Sequence, residues 1–174
     1  MTVTPKDESS DIRIRQAERA DLLAVYRIEK ASFSSPWPFE AFEQQLSGPG
    51  FLVAVDDDEN GEIVDTANVI GFVVADHVPN HGQPFGHIKD LAVHPEYQGE
   101  GVGTALLRRG LDVLYEQSVR SVKLEVRESN DGAKRLYTQF GFEPLRRVPR
   151  YYDNGDDAII MVLSREDHAG ATNE

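Results

Sequence analysis

The chain has 174 residues, 40% of them hydrophobic, which suits one domain with a sizeable core. It carries 30 acidic and 18 basic residues, a formal net charge of −12, and no cysteine. That composition excludes disulfides, cysteine-ligated zinc and a cysteine nucleophile, and with no Lys/Arg cluster to track a phosphate backbone, no nucleic-acid partner is expected.

Residues 1–10, MTVTPKDESS, are polar and read as a disordered tail, as do residues 165–174; the folded domain is expected over 11–164. DIRIRQA alternates apolar and charged residues and reads as a strand. A helix follows over ERADLLAVYRIEKASF, with Leu22, Tyr26 and Phe33 at helical spacing, and SSPWP breaks it. PFEAFEQQL gives a second, short helix with Phe39, Phe42 and Leu46 on one side. FLVAV is a strand, DDDENGE a turn or loop, NVIGFVVADHV a longer strand, PNHGQPFG a loop and HIKDLAV a strand. A helix from about Gly103 to Gln117 aligns Leu107, Leu111 and Leu114. SVKLEV is the next strand, NDGAKRLYTQF the last helix, and FEPLRRV and DAIIMVLS are the closing strands. The order β-α-α-β-β-β-α-β-α-β-β predicts an α/β domain with a mixed sheet rather than a repeating βαβ array.

Three glycines, Gly99, Gly101 and Gly103, stand at the entrance of the third helix. Glycine loses the most backbone entropy on ordering, so such clustering usually means close approach by another molecule. Free N–H groups at a helix N-terminus, with the positive end of its dipole, make a phosphate site. A P-loop would end in Gly-Lys-Ser/Thr, but Gly103 is followed by Thr104 and Ala105. A dinucleotide fingerprint would be G-x-G-x-x-G near the first strand; this segment is G-x-G-x-G and comes after several strands.

QGEGVG, Gln98 to Gly103, matches the Q/R-x-x-G-x-G/A signature of the GNAT acyl-CoA N-acyltransferase superfamily. LAVHPEYQGEGVGTALL, LEVRESNDGAKRLYTQFGF, RYYDNGDDAIIMVL and ASFSSPWPFEAF together resemble the RimI-type protein N-terminal acetyltransferases, which act on ribosomal proteins. The resemblance runs from about Ile12 to Leu163 and implies the GNAT fold, acetyl-CoA as co-substrate and no metal. It assigns pyrophosphate binding to the backbone of Gly99, Glu100, Gly101, Val102, Gly103 and Thr104, and pairing with the pantetheine arm to Leu91, Ala92 and Val93. Family members usually carry basic residues in this loop; Glu100 departs from that pattern.

Amine acetylation needs a neutral amine, a polarised thioester and a proton for the leaving thiolate. Glu125 alternates with Leu124 and Val126 and by itself reads as a solvent-facing strand residue; the resemblance makes it the general base. His87 reads equally as a strand-end histidine or, as in some related N-terminal acetyltransferases, a second proton acceptor. Tyr137 suits core packing, and the resemblance makes it the proton donor to the CoA sulfur. Asn130, or Ser129, suits an N-cap, and the resemblance adds a cofactor contact for Asn130. The resemblance puts Trp37 and Tyr151 or Tyr152 beside the peptide entrance.

The expected activity is direct transfer, in a ternary complex, of acetyl from acetyl-CoA to a protein N-terminal α-amine. A GNAT enzyme for a small amine and a silent acyl-CoA sensor are the alternatives. No apolar run reaches the ~20 residues of a membrane span, and no secretory leader is read, so a cytoplasmic, membrane-independent protein is expected. The acidic balance is compatible with the high ionic strength of a halophile's cytoplasm.

Overall fold

The computed structural model describes residues 12–56 and 68–165. The readings made for the two chain ends, and for most of DDDENGE, fall outside the described residues. Among the described residues seven strands and four helices follow in chain order: β1 (Ile12–Gln16), α1 (Leu22–Ser32), α2 (Phe39–Gln45), β2 (Phe51–Asp56), β3 (Val69–Val78), β4 (Phe85–Val93), α3 (Val102–Glu116), β5 (Ser121–Arg127), α4 (Asp131–Gln139), β6 (Glu143–Val148) and β7 (Ala158–Ser164). The strands form one mixed sheet in the order β1-β2-β3-β4-β5-β7-β6, antiparallel throughout except between β4 and β5.

Helices cover both faces, which is why the middle strands are near-continuous apolar runs. In β2, Phe51, Val53 and Val55 face α1 and α2, while Leu52 and Ala54 face α3 and α4. Leu22, Val25 and Ile28 give α1 its buried stripe, and Leu106, Leu107, Leu111 and Leu114 give α3 its own. The first helix begins later than its sequence pattern suggested: Arg19–Asp21 is a 3-10 turn. Its Asp21 is fully buried because Arg15 clamps the carboxylate with bonds of 2.7 and 2.9 Å.

Two irregularities of β4 create the site. Phe85 and Gly86, read in the sequence as loop, already belong to the strand, opposite Val78 and His77. A Cβ at Gly86 would come within 2.7 Å of Leu114 Cδ1, so glycine lets α3 lie against the strand there. Farther along, Val74 faces Asp90 and Ala75 faces Ile88, leaving Lys89 as the extra residue of a β-bulge. At this point β4 also leaves β5: their parallel pairing joins only Gly86–Ile88 to Val122–Leu124. Beyond Ile88 β4 continues along β3 and β5 continues along β7, so a cleft opens between two adjacent strands.

Candidate active site

The end of β4 feeds the glycine loop. Gly101 is the N-cap of α3 with φ 85°, and Gly99 has φ 81°. Both angles lie in the left-handed region, where an L side chain is strained. A Cβ at either would touch nothing within 4 Å, so the dihedral demands glycine there, not crowding. Gly103 differs in conformation: it lies in the first turn of α3, and a Cβ there would stand in ordinary contact, 3.5 Å from Leu136 and 3.6 Å from Val93. No side chain caps the helix, and its first α-helical bond runs from Ala105 N–H to Gly101 O at 3.1 Å. The N–H groups of Val102, Gly103 and Thr104 therefore remain as the unpaired donors of a helix start. Glu100 is exposed between the two left-handed glycines. Leu91, Ala92 and Val93 lie on the part of β4 that β5 no longer pairs, and Gln98 Nε2 donates to Val93 O at 3.2 Å.

The cleft is lined by Ile88, Asp90 and Leu91 of β4, Glu125 and Arg127 of β5, Asn130 just before α4, Tyr137 of α4, and Glu29, Trp37 and Tyr152. Alternation in β5 buries Val122, Leu124 and Val126 and sends Glu125 the other way. Glu125 does not face solvent: its side chain is 15% exposed, and Oε2 lies 2.6 Å from His87 Nε2. Lys123 Nζ is 3.7 Å from Oε1. Burial pushes the Glu125 carboxyl up, but the His87 hydrogen bond and charge, with Lys123, outweigh it and hold the group below the usual glutamate range. Glu125 is thus an anion paired to an imidazole. His87 meets the cleft only through Glu125.

Tyr137 is buried, with its ring edge-on to Phe142 at 5.8 Å. Burial, then the charges of Asp90 and Tyr152, push its phenol far above the ordinary tyrosine value. It stays protonated through neutral pH and can act only as a donor there. Asn130 is the N-cap of α4: Oδ1 accepts from Ala133 N–H at 3.1 Å. Of the two tyrosines between β6 and β7, Tyr152 lines the cleft, under the Arg127 guanidinium at 3.9 Å, while Tyr151 is half exposed at its edge. Burial raises Tyr152 to about 12 despite Arg127. Trp37 lines the cleft and also packs on Phe42 at 5.3 Å, so its wall and core roles coincide.

Glu29, Asp90 and Arg127 line the cleft but were not singled out from the sequence. Glu29 of α1 is 1% exposed, and Asp90 of β4 is half-buried with its Oδ2 sealed from solvent. Glu29 carried a signal: it continues the stripe Leu22, Val25, Ile28, where a lone acid is out of place. Arg127, held by Asp156 and Asn154 at 2.9 Å each, was likewise passed over.

The model of the acetyltransferase (GNAT) family matches residues 22–142 of this chain. The [ribosomal protein bS18]-alanine N-acetyltransferase of Escherichia coli K12 is 33% identical over 153 residues, spanning 86% of this chain and 95% of that protein. The N-alpha-acetyltransferase of Sulfurisphaera tokodaii is 30% identical over 159 residues, spanning 89% and 94%. The crystal structure of Ard1 from Thermoplasma volcanium superposes with a TM-score of 0.77 at 28% identity, covering 88% of this chain and 97% of that one.

Proposed function

Because the chain belongs to the acetyltransferase (GNAT) family, we propose that it moves an acetyl group from acetyl-CoA to the α-amine at the N-terminus of a protein. The observation that carries this reading is the cleft where β4 and β5 part, onto which both Glu125 and Tyr137 open. Two relatives named for acetylation of a protein N-terminus, each matched over most of its length, support the same acceptor class.

The chain's own groups divide the work. The first-turn N–H groups of α3 take the pyrophosphate of acetyl-CoA, and the unpaired edge of β4 lays the pantetheine arm toward the cleft. The α-amine has a pKa near ~8, so a sizeable neutral fraction exists at physiological pH. As the amine nitrogen bonds to the acetyl carbon, the Glu125–His87 pair takes the amine's proton, directly or through water. As the carbon–sulfur bond breaks, Tyr137 gives its phenolic proton to the sulfur. Two protons and two bonds balance without an acyl-enzyme. Tyr152 and Trp37 flank the acceptor's first residue.

The acidic balance of the chain supports work in a cytoplasm of high ionic strength. Among the described residues no helix is long and apolar enough to cross a membrane.

One peptide with a free N-terminus and an internal lysine, incubated with acetyl-CoA and fragmented by mass spectrometry, tests the acceptor class. Acetyl on the α-amine is expected. Acetyl chiefly on the lysine, or on neither while a polyamine is acetylated, overturns the reading.

A further inference from the structure

Glu29, buried, and Asp90, half-buried, line the same cleft, and each has one carboxyl oxygen sealed from solvent with no cation beside it among the described residues. Glu29 Oε1 accepts from Trp37 N–H at 3.1 Å, and Asp90 Oδ1 accepts from Leu91 N–H at 3.0 Å. The remaining oxygens, Glu29 Oε2 and Asp90 Oδ2, are sealed from solvent and have no hydrogen-bond partner among the described residues. Neither residue is in an ion pair with a lysine, arginine or histidine among the described residues. Two ionised carboxylates would repel strongly in such a place, and two protonated ones would waste an acceptor. One proton held between them satisfies both free oxygens. Consistent with that, burial and then the neighbouring Glu29 carboxyl raise Asp90 well above the ordinary aspartate range.

The pair joins two walls of the cleft. Through Trp37 N–H, Glu29 holds the loop between α1 and α2; through Leu91 N–H, Asp90 fixes the residue just past the bulge of β4. We infer that Glu29 and Asp90 are positioning residues for the acceptor, a carboxyl pair that shares one proton and thereby locks the Trp37 loop against β4 at the spacing the acceptor's first residue requires. The acceptor part of this inference rests on the function proposed above; the lock itself does not. The other titratable groups facing the pair are Tyr137 of α4, Tyr152 from the β6–β7 connection, Glu125 and Arg127 of β5 and Lys89 on β4 itself. The two tyrosines are raised above the ordinary phenol value, so they keep their protons over the range in which the pair loses its own.

Trp37 is the chain's single tryptophan, so its fluorescence reports the loop without any need for turnover. In the wild-type protein its emission is expected to shift at a pH above the ordinary aspartate range, as the shared proton leaves and the loop loosens. Asp90→Asn and Glu29→Gln each replace the shared proton by an amide N–H, keep the tie and remove the shift. Asp90→Ala breaks the tie and gives the loosened emission at every pH. In peptide assays Asp90→Ala raises the acceptor KM by about tenfold or more, the worth of a hydrogen bond to a charged group. Asp90→Asn keeps the wild-type KM at neutral pH.

The inference is overturned if wild-type emission does not shift, if the shift persists in both amide variants (the mark of His87 or another group), or if Asp90→Asn raises KM as Asp90→Ala does, which would make the negative charge the working feature. If Asp90→Ala does not fold, the two amide variants carry the test alone. Loss of all peptide acetylation with the emission shift intact removes the proposed acceptor and leaves the lock standing.

Discussion

Glu125 Oε2 and His87 Nε2 lie 2.6 Å apart although 38 residues separate them, because β4 and β5 run parallel only as far as Ile88 and Leu124 before they part. The pair stands at the point of separation, so one side of it is braced by the sheet and the other meets the cleft. Glu125→Gln keeps the shape and removes the proton acceptor. It is expected to lower kcat by ~10²–10⁴-fold near neutral pH, with the deficit shrinking above the amine pKa of ~8 as the substrate arrives neutral. His87→Ala has a different signature. Burial alone would raise the Glu125 carboxyl, and the His87 bond and charge oppose it. Without His87 the carboxyl rises, so the acid limb of the kcat/KM profile moves to higher pH. Single-turnover rates across pH decide both; a Glu125→Gln enzyme with near-wild-type rates ends the assignment.

Tyr137→Phe retains the edge-on contact with Phe142 and removes only the hydroxyl. A phenol held far above its ordinary value is protonated at every accessible pH, so the loss of kcat is expected to be constant from pH 6 to 9, again ~10²-fold or more. Thermal stability should change by no more than about 1 kcal/mol, the net worth of one hydrogen bond. A rate loss that grows or fades with pH would show that Tyr137 is not the proton donor.

The layers of the fold were legible because periodicity survives any tertiary arrangement. The alternation Val122, Leu124, Val126 marked β5 and set Glu125 on the opposite side before any partner was known. What Glu125 would meet there was not legible, since it depends on the three-residue register between β4 and β5, a long-range fact. The start of β4 was misplaced because Pro84 and Gly86 look like loop; only the packing of Leu114 explains a glycine inside that strand. Glu29 stood in plain view on an apolar stripe, yet its meaning needs Asp90, 61 positions on in the chain (90 − 29) and brought close only by α1 lying across the sheet. Tyr151 and Tyr152 are indistinguishable in sequence and separate only when Arg127 settles over one ring.

Gly101 offers a test of the cofactor loop that spares the core. Its left-handed φ of 85° would cost any L residue roughly 1–2 kcal/mol, and a Cβ there meets no protein atom. Gly101→Val is therefore expected to fold, with a lower melting temperature, and to bind acetyl-CoA at least about tenfold more weakly, as the helix start tilts its N–H groups away. Gly103→Val should instead act through stability, because its branched methyls extend beyond a Cβ already in van der Waals contact with Leu136 and Val93. Calorimetric titration with acetyl-CoA, run beside thermal melts, separates the two. Equal acetyl-CoA affinity in Gly101→Val and the wild type would remove the pyrophosphate from this loop.

Salt supplies the last prediction, because the loop proposed to receive the polyanionic cofactor is itself acidic. Glu100 sits exposed between the two left-handed glycines, and Glu96 lies in the turn before it. Their field is felt locally: after burial and the Asp56 bond, both carboxylates push the Tyr97 phenol up. At about 0.1 M salt the screening length is ~10 Å, long enough for Glu100 to oppose the incoming phosphates; at about 1 M it is ~3 Å, and most of that repulsion is gone. Acetyl-CoA affinity is therefore expected to rise, or at least to hold, as potassium chloride increases across that range. Ordinary charge-assisted phosphate sites behave the opposite way, weakening as salt screens the attraction. Glu100→Gln isolates the cause. It should tighten binding at low salt, change it little at high salt and so flatten the dependence. Affinity that drops steeply with salt in the wild type, or a Glu100→Gln variant with the same slope, would mean that basic side chains dominate the phosphate site and that Glu100 points away from it.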